Sequence, residues 1–444
     1  MPRAVGVGSY RAVFELPFAL RTFVPAIGGR LAYGLFPLAS LFTVQQASGS
    51  FATAGLAAAG FGVTAITMPA KARLAERYSQ RVVLPPQALV CASALVAAAM
   101  AVEPVVLVGL ITVAGLAAPP LGPAMRANWR RLTAGTSLKP RAYGLDSVVE
   151  ETLYLVGPLI AGLLVAAGPA RWALVLTAAL LLVGTLGMVT TPVALQRERM
   201  GGRPVRGEQA NGGVPAIPAE PTIPAERAIP AEPAIPGEPA RGGPMAGLFG
   251  AGALRSGGLR GLLAVILAVG AGTSVAYTCL AVTAQDHGKP GAAGLLEAAL
   301  ALGSVAGGLF WSRRDFGPNR RRQLGMLVGA LAVGLSAASV TSGLVVLGLV
   351  LCVTGTALAP VYVVAYLAAD DLAGECFATE AGTWVNVATN AGSAAGAAIA
   401  GIVAEAWGAG VGFFSGGTLL AVTAGAVAVT SRRGPREQAA GSRP

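Results

Sequence analysis

Three carboxylates open an otherwise apolar stretch of sequence, YGLDSVVEETLYLVGPLIAG, which covers residues 143–162. Asp146 and Glu150 are four residues apart, so a helix would place both on one face. Glu151 would point about 100° away from Glu150. Because residues 152–167 carry no charge, the stretch predicts a membrane helix that is entered at its acidic end. Carboxylates held in such a place can load and release protons, which is the chemistry of a transport pathway.

One basic residue, Arg30, lies roughly seven residues inside the first apolar run of the chain. A charge at that depth costs roughly 2.5 to 3.5 kcal/mol on membrane-insertion scales, so a neighbouring group must neutralise it. Arg30 is therefore a candidate for the same polar pathway as the acids.

The second half of the chain has fewer polar residues inside its apolar runs. Glu297, in GLLEAALALG, lies well inside one of them; a proton or substrate role competes with shallow burial near the outer face. Asn386 and Asn390 share a helix face and lie within two turns of Trp384. Amides in lipid seek partners, so this group serves either helix packing or the recognition of substrate hydroxyls.

The composition indicates a membrane protein that crosses the bilayer several times. Of its 444 residues, 54% are hydrophobic and 12% are charged, and the mean hydropathy is +0.65. Soluble domains carry about 25% charged residues. The 61 glycines suit close contact between helices in lipid, where small residues let backbones approach.

Residue types that support other chemistry are dispersed or missing from the sequence. Cys91, Cys279, Cys352 and Cys376 show no CxxC spacing, which argues against a metal cluster or a disulfide framework. His287 is the single histidine, in a short polar loop. The sequence lacks a G-x-x-x-x-G-K-[ST] motif, which argues against an ATP-driven pump. We expect neither a cofactor nor a metal, and no enzymatic activity.

The apolar runs fall into two groups of six, and each run is about as long as a membrane span of roughly 20 residues. The runs lie near residues 22–44, 52–70, 83–102, 105–125, 146–167, 171–192, 260–283, 291–311, 324–341, 343–368, 382–405 and 408–430. The sequence therefore predicts an all-α membrane protein with twelve transmembrane helices in two six-helix bundles.

A long polar segment separates the two groups of runs. It contains the repeat IPAE at 217–220, 223–226 and 229–232, and IPGE at 235–238. Frequent proline removes backbone donors and fixes φ, so we predict a semi-extended, disordered linker. The predicted organisation is an N-terminal bundle at 1–192, a Pro/Ala/Glu-rich cytoplasmic linker at 193–257, a C-terminal bundle at 258–431 and a tail at 432–444.

Basic residues in the short loops indicate the orientation of the chain. Lys and Arg cluster between runs 2 and 3, 4 and 5, and 8 and 9, whereas the alternate loops hold only Arg171 and Lys289. Because cytoplasmic loops carry the excess of basic residues, we expect both termini in the cytoplasm and the protein in the cell membrane. The net charge of +11 is spread over these loops and the linker, which argues against a nucleic-acid partner.

The two halves of the chain repeat one plan. When Gly157 is laid over Gly392, Glu151 falls on Asn386, so one half carries charge where the other carries an amide. Runs 4 and 10 correspond in the same way through Pro120 and Pro360. Six crossings return the chain to its starting side, so the repeat is parallel.

This layout resembles the major facilitator superfamily over nearly the whole chain outside the linker. The loop ARLAERYSQR at 72–81 is similar to the signature G-x-L-x-D-R-x-G-R-R of that family. Leu74, Arg77 and Arg81 match the signature; Ala72, Glu76, Ser79 and Gln80 depart from it, and Ser79 stands in the place of a glycine. The resemblance implies a gating loop with the charged residues Arg73, Glu76, Arg77 and Arg81.

The fifth run adds a second likeness, to the drug and proton antiporters of the family. Their motif G-x8-G-x3-G-P-x2-G-G is matched by Gly144, Gly157, Pro158 and Gly162, which we interpret as a helix-packing motif. Leu153 and Ala161 stand where that motif has glycine.

The resemblance implies two bundles that rock about a central cavity. Spans 1 and 5 are neighbours in the family, so we expect Arg30 to pair with Asp146, Glu150 or Glu151, and the acid left over to carry protons. Two alternatives remain open: an ion pair that only holds the bundle together, and acids solvated by water and headgroups at the membrane surface.

The expected function is that of a secondary transporter, a monomer in the lipid bilayer that exports a small organic molecule in exchange for protons. One alternative is a proton-coupled symporter that takes up a nutrient. Another is a non-transporting membrane scaffold or sensor with the same fold.

Overall fold

The computed structural model describes residues 8–191, 253–312, 319–373 and 378–440, and within them every regular element is a helix. The predicted linker lies outside the described residues. The first half contains α1 (Gly8–Phe14), α2 (Ala19–Ser48), α3 (Phe51–Val63), α4 (Met68–Tyr78), α5 (Gln80–Met100), α6 (Pro104–Ala117), α7 (Leu121–Leu132), α8 (Lys139–Ala167) and α9 (Arg171–Val189). The second half contains α10 (Gly257–Asp286), α11 (Ala292–Ser312), α12 (Arg320–Ala338), α13 (Leu344–Gly355), α14 (Leu358–Ala373), α15 (Ala378–Trp407) and α16 (Ala409–Ala440).

The helices give strong but incomplete support for the predicted spans. In the described residues, ten helices are long and apolar enough to cross a membrane. Of the twelve predicted spans, the second forms the shorter apolar helix Phe51–Thr67, and the ninth forms α12, which begins with three arginines. Twelve transmembrane helices therefore remain a prediction, whereas the described residues form helices only, ten of which have the length and composition of a membrane span.

The fourth predicted run is not one continuous helix. It is interrupted between α6 and α7 at residues 118–120, where Pro119 and Pro120 supply no backbone donor. Lys71 Nζ donates to the freed carbonyl oxygens of Gly115, Leu116 and Ala118 at 2.8 to 3.3 Å. The Tyr33 hydroxyl donates to Pro119 O at 2.6 Å. Side chains from α2 and α4 thus satisfy the backbone groups that the break leaves unpaired inside the bundle.

The internal repeat is visible in how the glycines pack. A Cβ atom added to Gly157 of α8 would collide with the backbone of Gly34 in α2, at 2.6 Å from its Cα atom. In the second half, a Cβ atom on Gly392 of α15 would collide with the backbone of Leu267 in α10. In both halves, therefore, a glycine of the fifth predicted span lets that span approach the first span of the same half, as the sequence alignment of the halves suggests.

Two seams join the halves. Along the first, between α3 and α15, a Cβ atom on Gly401 would lie 3.0 Å from Ala52 Cα. Along the second, between α8 and α11, a Cβ atom on Gly162 would lie 2.6 Å from Gly291 O. Both seams lie toward the same end of the helices, at the start of α3 and α11 and the end of α8 and α15. The halves are therefore in backbone contact at that end.

The α3–α15 seam ends in hydrogen bonds from one half to the other. Glu405 Oε2 accepts from the Ser50 hydroxyl at 2.6 Å and from the Ala52 backbone N–H at 2.8 Å. Ser50 Oγ in turn accepts from the Thr53 backbone N–H at 3.1 Å. A carboxylate of the second half therefore helps cap the first turn of α3 in the first half.

The glycines of α8 offer a direct test of this packing. Gly157→Ala should lower the thermal stability of the purified protein, because overpacking a close contact costs about 1 to 3 kcal/mol. Gly144→Ala is the matched control in the same helix, since a Cβ atom there meets nothing within 4 Å. Thermal unfolding in detergent should separate the two variants, and equal melting temperatures would contradict the Gly34 contact.

Candidate functional site

Arg30 is held between two acids of α8. Its Nη1 atom donates to Asp146 Oδ1 at 2.6 Å, and its Nη2 atom lies 3.0 Å from Glu150 Oε2. Arg30 is 6% exposed and Asp146 is 1% exposed. The structure thus places the sequence-predicted arginine with two of its three proposed partners. The side chain of Glu151 lies outside the described residues.

Span 4 completes the charged group with residues that the sequence analysis did not select. Arg126 Nη2 donates to Glu150 Oε2 at 2.8 Å, and its Nε atom lies 3.9 Å from Asp146 Oδ2. Trp129 Nε1 donates to Asp146 Oδ1 at 3.3 Å. Two arginines and two carboxylates therefore form what we call the charge quartet (Arg30, Arg126, Asp146, Glu150), whose formal charges cancel.

Arg126 escaped notice because it directly follows the fourth apolar run and is easily counted with the basic loop after it. The structure instead places it on α7, which continues to Leu132. The available signal was the Pro119 and Pro120 pair, which ends one helix and allows another to begin. Trp129, three residues after Arg126, is fully buried on the same helix.

The two acids of the quartet are held differently. The Asp146 side chain is 2% exposed and has direct hydrogen bonds from Arg30 and Trp129. The Glu150 side chain is 25% exposed, and its hydrogen bond comes from Arg126, whose side chain is 54% exposed. The Arg30 Nη2 contact with Glu150 is an ion pair without hydrogen-bond geometry. Asp146 is thus the fixed member of the quartet, and Glu150 is the member that water or a ligand can reach.

A cavity of about 860 Å³ lies between the halves and exposes Arg30, Arg126 and Glu150 on one side. This volume lies within the range of roughly 300 to 1,000 Å³ seen for small-molecule sites. Its lining in the first half also includes Tyr33, Phe36, Phe61, Pro119, Pro120 and Tyr154. The second half contributes Ser274, Tyr277, Thr278, Glu297, Thr383, Asn386, Asn390 and Ser393, among others.

Glu297 brings an acid to the second wall of the cavity. It is 6% exposed and lines the cavity together with Tyr277 of α10. In the part of the chain that the structure describes, its carboxylate has no basic group within 4.0 Å. Glu297 is therefore buried against the cavity rather than solvated at the outer surface.

The predicted amide pair also faces the cavity. Asn386 Oδ1 accepts from the Tyr366 hydroxyl at 2.9 Å, and Asn390 Nδ2 donates to the Asn386 backbone oxygen at 2.9 Å. Both asparagines are exposed and line the cavity. Trp384 is half-buried and lies outside the cavity lining. Of the three residues that the sequence grouped in this span, the two amides are placed where a ligand could reach them.

Arg77 and Arg81 of the gating loop each make a defined contact. Arg73 and Arg77 are exposed, and Arg77 packs over the Tyr78 ring at 5.4 Å. Arg81 donates to the backbone oxygens of Val189 and Thr190 at the end of α9. The Glu76 side chain lies outside the described residues. Arg81 therefore ties the loop to the sixth span of the same half.

The span-5 motif residues also differ from one another. Gly157 contacts α2, whereas Pro158 and Gly162 face α11: a Cβ atom on Gly294 would lie 3.0 Å from Gly162 Cα and would collide with Pro158 O. Gly144 has open space where its side chain would be. The close packing is thus confined to the second half of α8 and does not extend to Gly144.

A family model described as Major Facilitator Superfamily matches residues 23–383. The chain belongs to the major facilitator superfamily. No curated protein sequence matches the chain.

Solved structures of the superfamily have the same fold. The nucleoside transporter NupG is 15% identical, with a TM-score of 0.69 over 92% of this chain and 98% of that one. The human organic anion transporter MFSD10 (TETRAN) is 18% identical, with a TM-score of 0.54 over 96% and 100% of the two chains. An auto-inhibited POT family peptide transporter is 13% identical, with a TM-score of 0.63 over 93% and 97%. The chain is thus a transporter by family, and these distant structures establish its fold alone.

The Arg30–Asp146 ion pair predicts that replacing Arg30 alone lowers stability and that replacing both partners restores much of it. Arg30→Gln should destabilise this superfamily member strongly, because removing one partner of a buried ion pair costs about 3 to 5 kcal/mol. Arg30→Met combined with Asp146→Asn should recover much of the loss, because the Arg126–Glu150 pair stays balanced and the introduced amide oxygen can still accept from Trp129. Thermal unfolding in detergent provides the measurement. A double variant less stable than Arg30→Gln would contradict the pairing.

Replacing Ser79 with glycine should stabilise the protein. Ser79 is buried with φ of 87° and ψ of 139° at the position where the family signature has glycine. A non-glycine residue in such a conformation costs on the order of 1 to 3 kcal/mol, and losing its N-cap oxygen to glycine costs only a few tenths. Ser79→Gly should therefore raise the melting temperature. Ser137→Gly, at an exposed turn residue without positive φ, is the control and should not.

Proposed function

We propose that this chain is a secondary transporter that exports a small organic molecule in exchange for protons. The observation that carries the proposal is the cavity of about 860 Å³, which takes ionisable groups from both halves of the chain. A site built from two bundles changes whenever the bundles move, so movement of the bundles is coupled to what the site holds.

The geometry of the two ends supports alternating access. The α3–α15 and α8–α11 seams hold the halves in contact at one end of the helices. Toward the other end, the polar lining residues Arg126, Asn386 and Asn390 are exposed. By the positive-inside rule the exposed side faces the cytoplasm, which would make this an inward-open state of a cell-membrane protein with both termini inside.

Glu150 and Glu297 are the two acids that could carry protons. Glu150 is shared by two arginines, so protonating it removes one negative charge from a balanced quartet and loosens its hold on Arg126. Arg126 would then be free to meet a substrate group. Glu297 is buried without an ion-pair partner among the described residues, where the neutral acid is favoured over the ionised one.

Further features of the proposal rest on the sequence. The organisation into bundles at 1–192 and 258–431, joined by a cytoplasmic linker at 193–257 and followed by a tail at 432–444, fits the loop charges and the proline repeats. The gating role of the loop at 72–81 follows from the family signature. We propose a monomer, with protons and one small molecule as its partners.

Nutrient uptake by symport is the second candidate. It is favoured by the nucleoside and peptide transporters among the similar structures and by the cavity asparagines, which suit hydroxyl recognition. A non-transporting scaffold of the same fold would need no ionisable groups in its cavity, so the quartet and Glu297 argue against it.

Proton movement in proteoliposomes distinguishes the three functions. The protein would be reconstituted with a pH-sensitive dye inside, and a panel of nucleosides, peptides, organic anions and organic cations would be added outside. Under antiport, an entering substrate drives protons out and the interior becomes alkaline; under symport the interior becomes acidic. Both signs hold for either orientation of the protein in the vesicle. We expect alkalinisation with at least one compound.

Glu297→Gln should abolish the proton movement, because it removes a carboxyl that can bind a proton. Asp286→Asn is the matched control, since Asp286 is an exposed acid at the end of α10. Acidification of the vesicle interior would establish symport instead. No pH change with any compound of the panel, while the protein is folded, would favour the scaffold.

A further inference from the structure

The charge balance of the cavity leaves one negative group unmatched. The charged side chains that line it are Arg30, Arg126, Glu150 and Glu297. Asp146 does not line the cavity, but it forms ion pairs with both arginines, so the quartet as a whole is neutral. Glu297, on the opposite wall, has no cation within 4.0 Å in the described residues. An ionised Glu297 therefore gives the site a net charge of minus one.

Burial makes that unmatched charge costly. Glu297 is 6% exposed, and an ionised carboxylate at such a position is unfavourable unless a positive charge accompanies it. Two species can meet this need, a proton on the carboxyl group or a positive charge on a ligand. The quartet cannot supply it, because both of its arginines are already used by Asp146 and Glu150.

Aromatic side chains line the same cavity. Tyr33, Tyr154 and Tyr277 line the cavity together with Glu297. Phe36 and Phe61 line the cavity on the first half, with ring centroids 4.1 Å apart. Aromatic faces attract organic cations, most strongly where water is excluded. The site therefore combines one acid with apolar and aromatic walls.

We propose that Glu297 is the binding site for the positive charge of a monovalent, partly aromatic organic cation, and that this cation and a proton exclude each other there. When the cation binds, the carboxyl O–H bond breaks, the carboxylate pairs with the cation and the proton goes to solvent. The charge of the site is the same before and after. This inference rests on the proposed transport function and names its substrate class.

The experiment measures binding to purified protein in detergent, without any gradient. Tetraphenylphosphonium is the probe, and tetraphenylborate, of the same size and shape but opposite charge, is the control ligand. Wild-type protein should bind the phosphonium and not the borate. Glu297→Gln should weaken phosphonium binding at least about tenfold, whereas Asp286→Asn should match the wild type. Glu297→Asp, which keeps the charge, should retain binding.

Proton release gives a second readout that needs no variant. In weakly buffered solution below neutral pH, wild-type protein should release about one proton for each phosphonium bound. Equal phosphonium affinity in wild type and Glu297→Gln, stronger binding of the borate than of the phosphonium by the wild type, or binding without proton release would overturn the proposal.

The two proposals fail separately. Phosphonium binding at Glu297 with no proton flux in vesicles for any compound would overturn the transport function alone. Proton flux driven by a neutral or anionic compound, with no phosphonium binding, would overturn the cation site alone.

Discussion

The ion pair between Arg30 and Asp146 is the interaction on which the first half of the molecule depends. In a bilayer an unpaired charge is costly, so the position of Arg30 in α2 requires α8 to bring an acid to the same depth. One turn beyond Arg30, Gly34 meets Gly157 of the same partner helix at backbone distance. Charge pairing and close packing therefore join the same two helices.

The two halves share a plan but use it differently. In both halves, a glycine in the fifth span contacts the first span. The fourth span of each half is also broken near its proline, at residues 118–120 in the first half and just before Pro360 in the second. The first half adds a balanced set of four charges, whereas the cavity wall of the second half carries Glu297 and two asparagines. The charges of the first wall balance one another, whereas Glu297 on the second wall has no ion-pair partner among the described residues. The division of roles follows from charge balance rather than from the fold.

The sequence predicted the helical class and most of the spans from hydropathy and span length, and the cost of buried charge predicted that Arg30 needs a partner. That the partner lies in the fifth span was an expectation from the family resemblance, which left Asp146, Glu150 and Glu151 open, and the structure shows Asp146 and Glu150. The sequence missed Arg126, Trp129 and Lys71, whose roles depend on the break at Pro119 and Pro120 and on which helix lies opposite. It also treated Gly144 and Gly157 alike, although only a neighbouring backbone makes one of them necessary. Periodicity places a residue on a face of its helix, but the partner of that face is set by tertiary packing.

The end of the molecule at which both seams lie is held together by contacts that the proposed alternating access requires to be reversible. Glycine seams bring the halves together by close backbone contact. The Glu405 carboxylate adds a directional contact across the interface, because it accepts hydrogen bonds from Ser50 and from the first turn of α3. Each such bond contributes about 1.5 to 3 kcal/mol when one partner is charged. Because Glu405 is exposed, water can replace both partners when the seam opens, so the net contribution is smaller. Under the proposed alternating access, a closure of that size favours one state and can be reversed by a bound ligand.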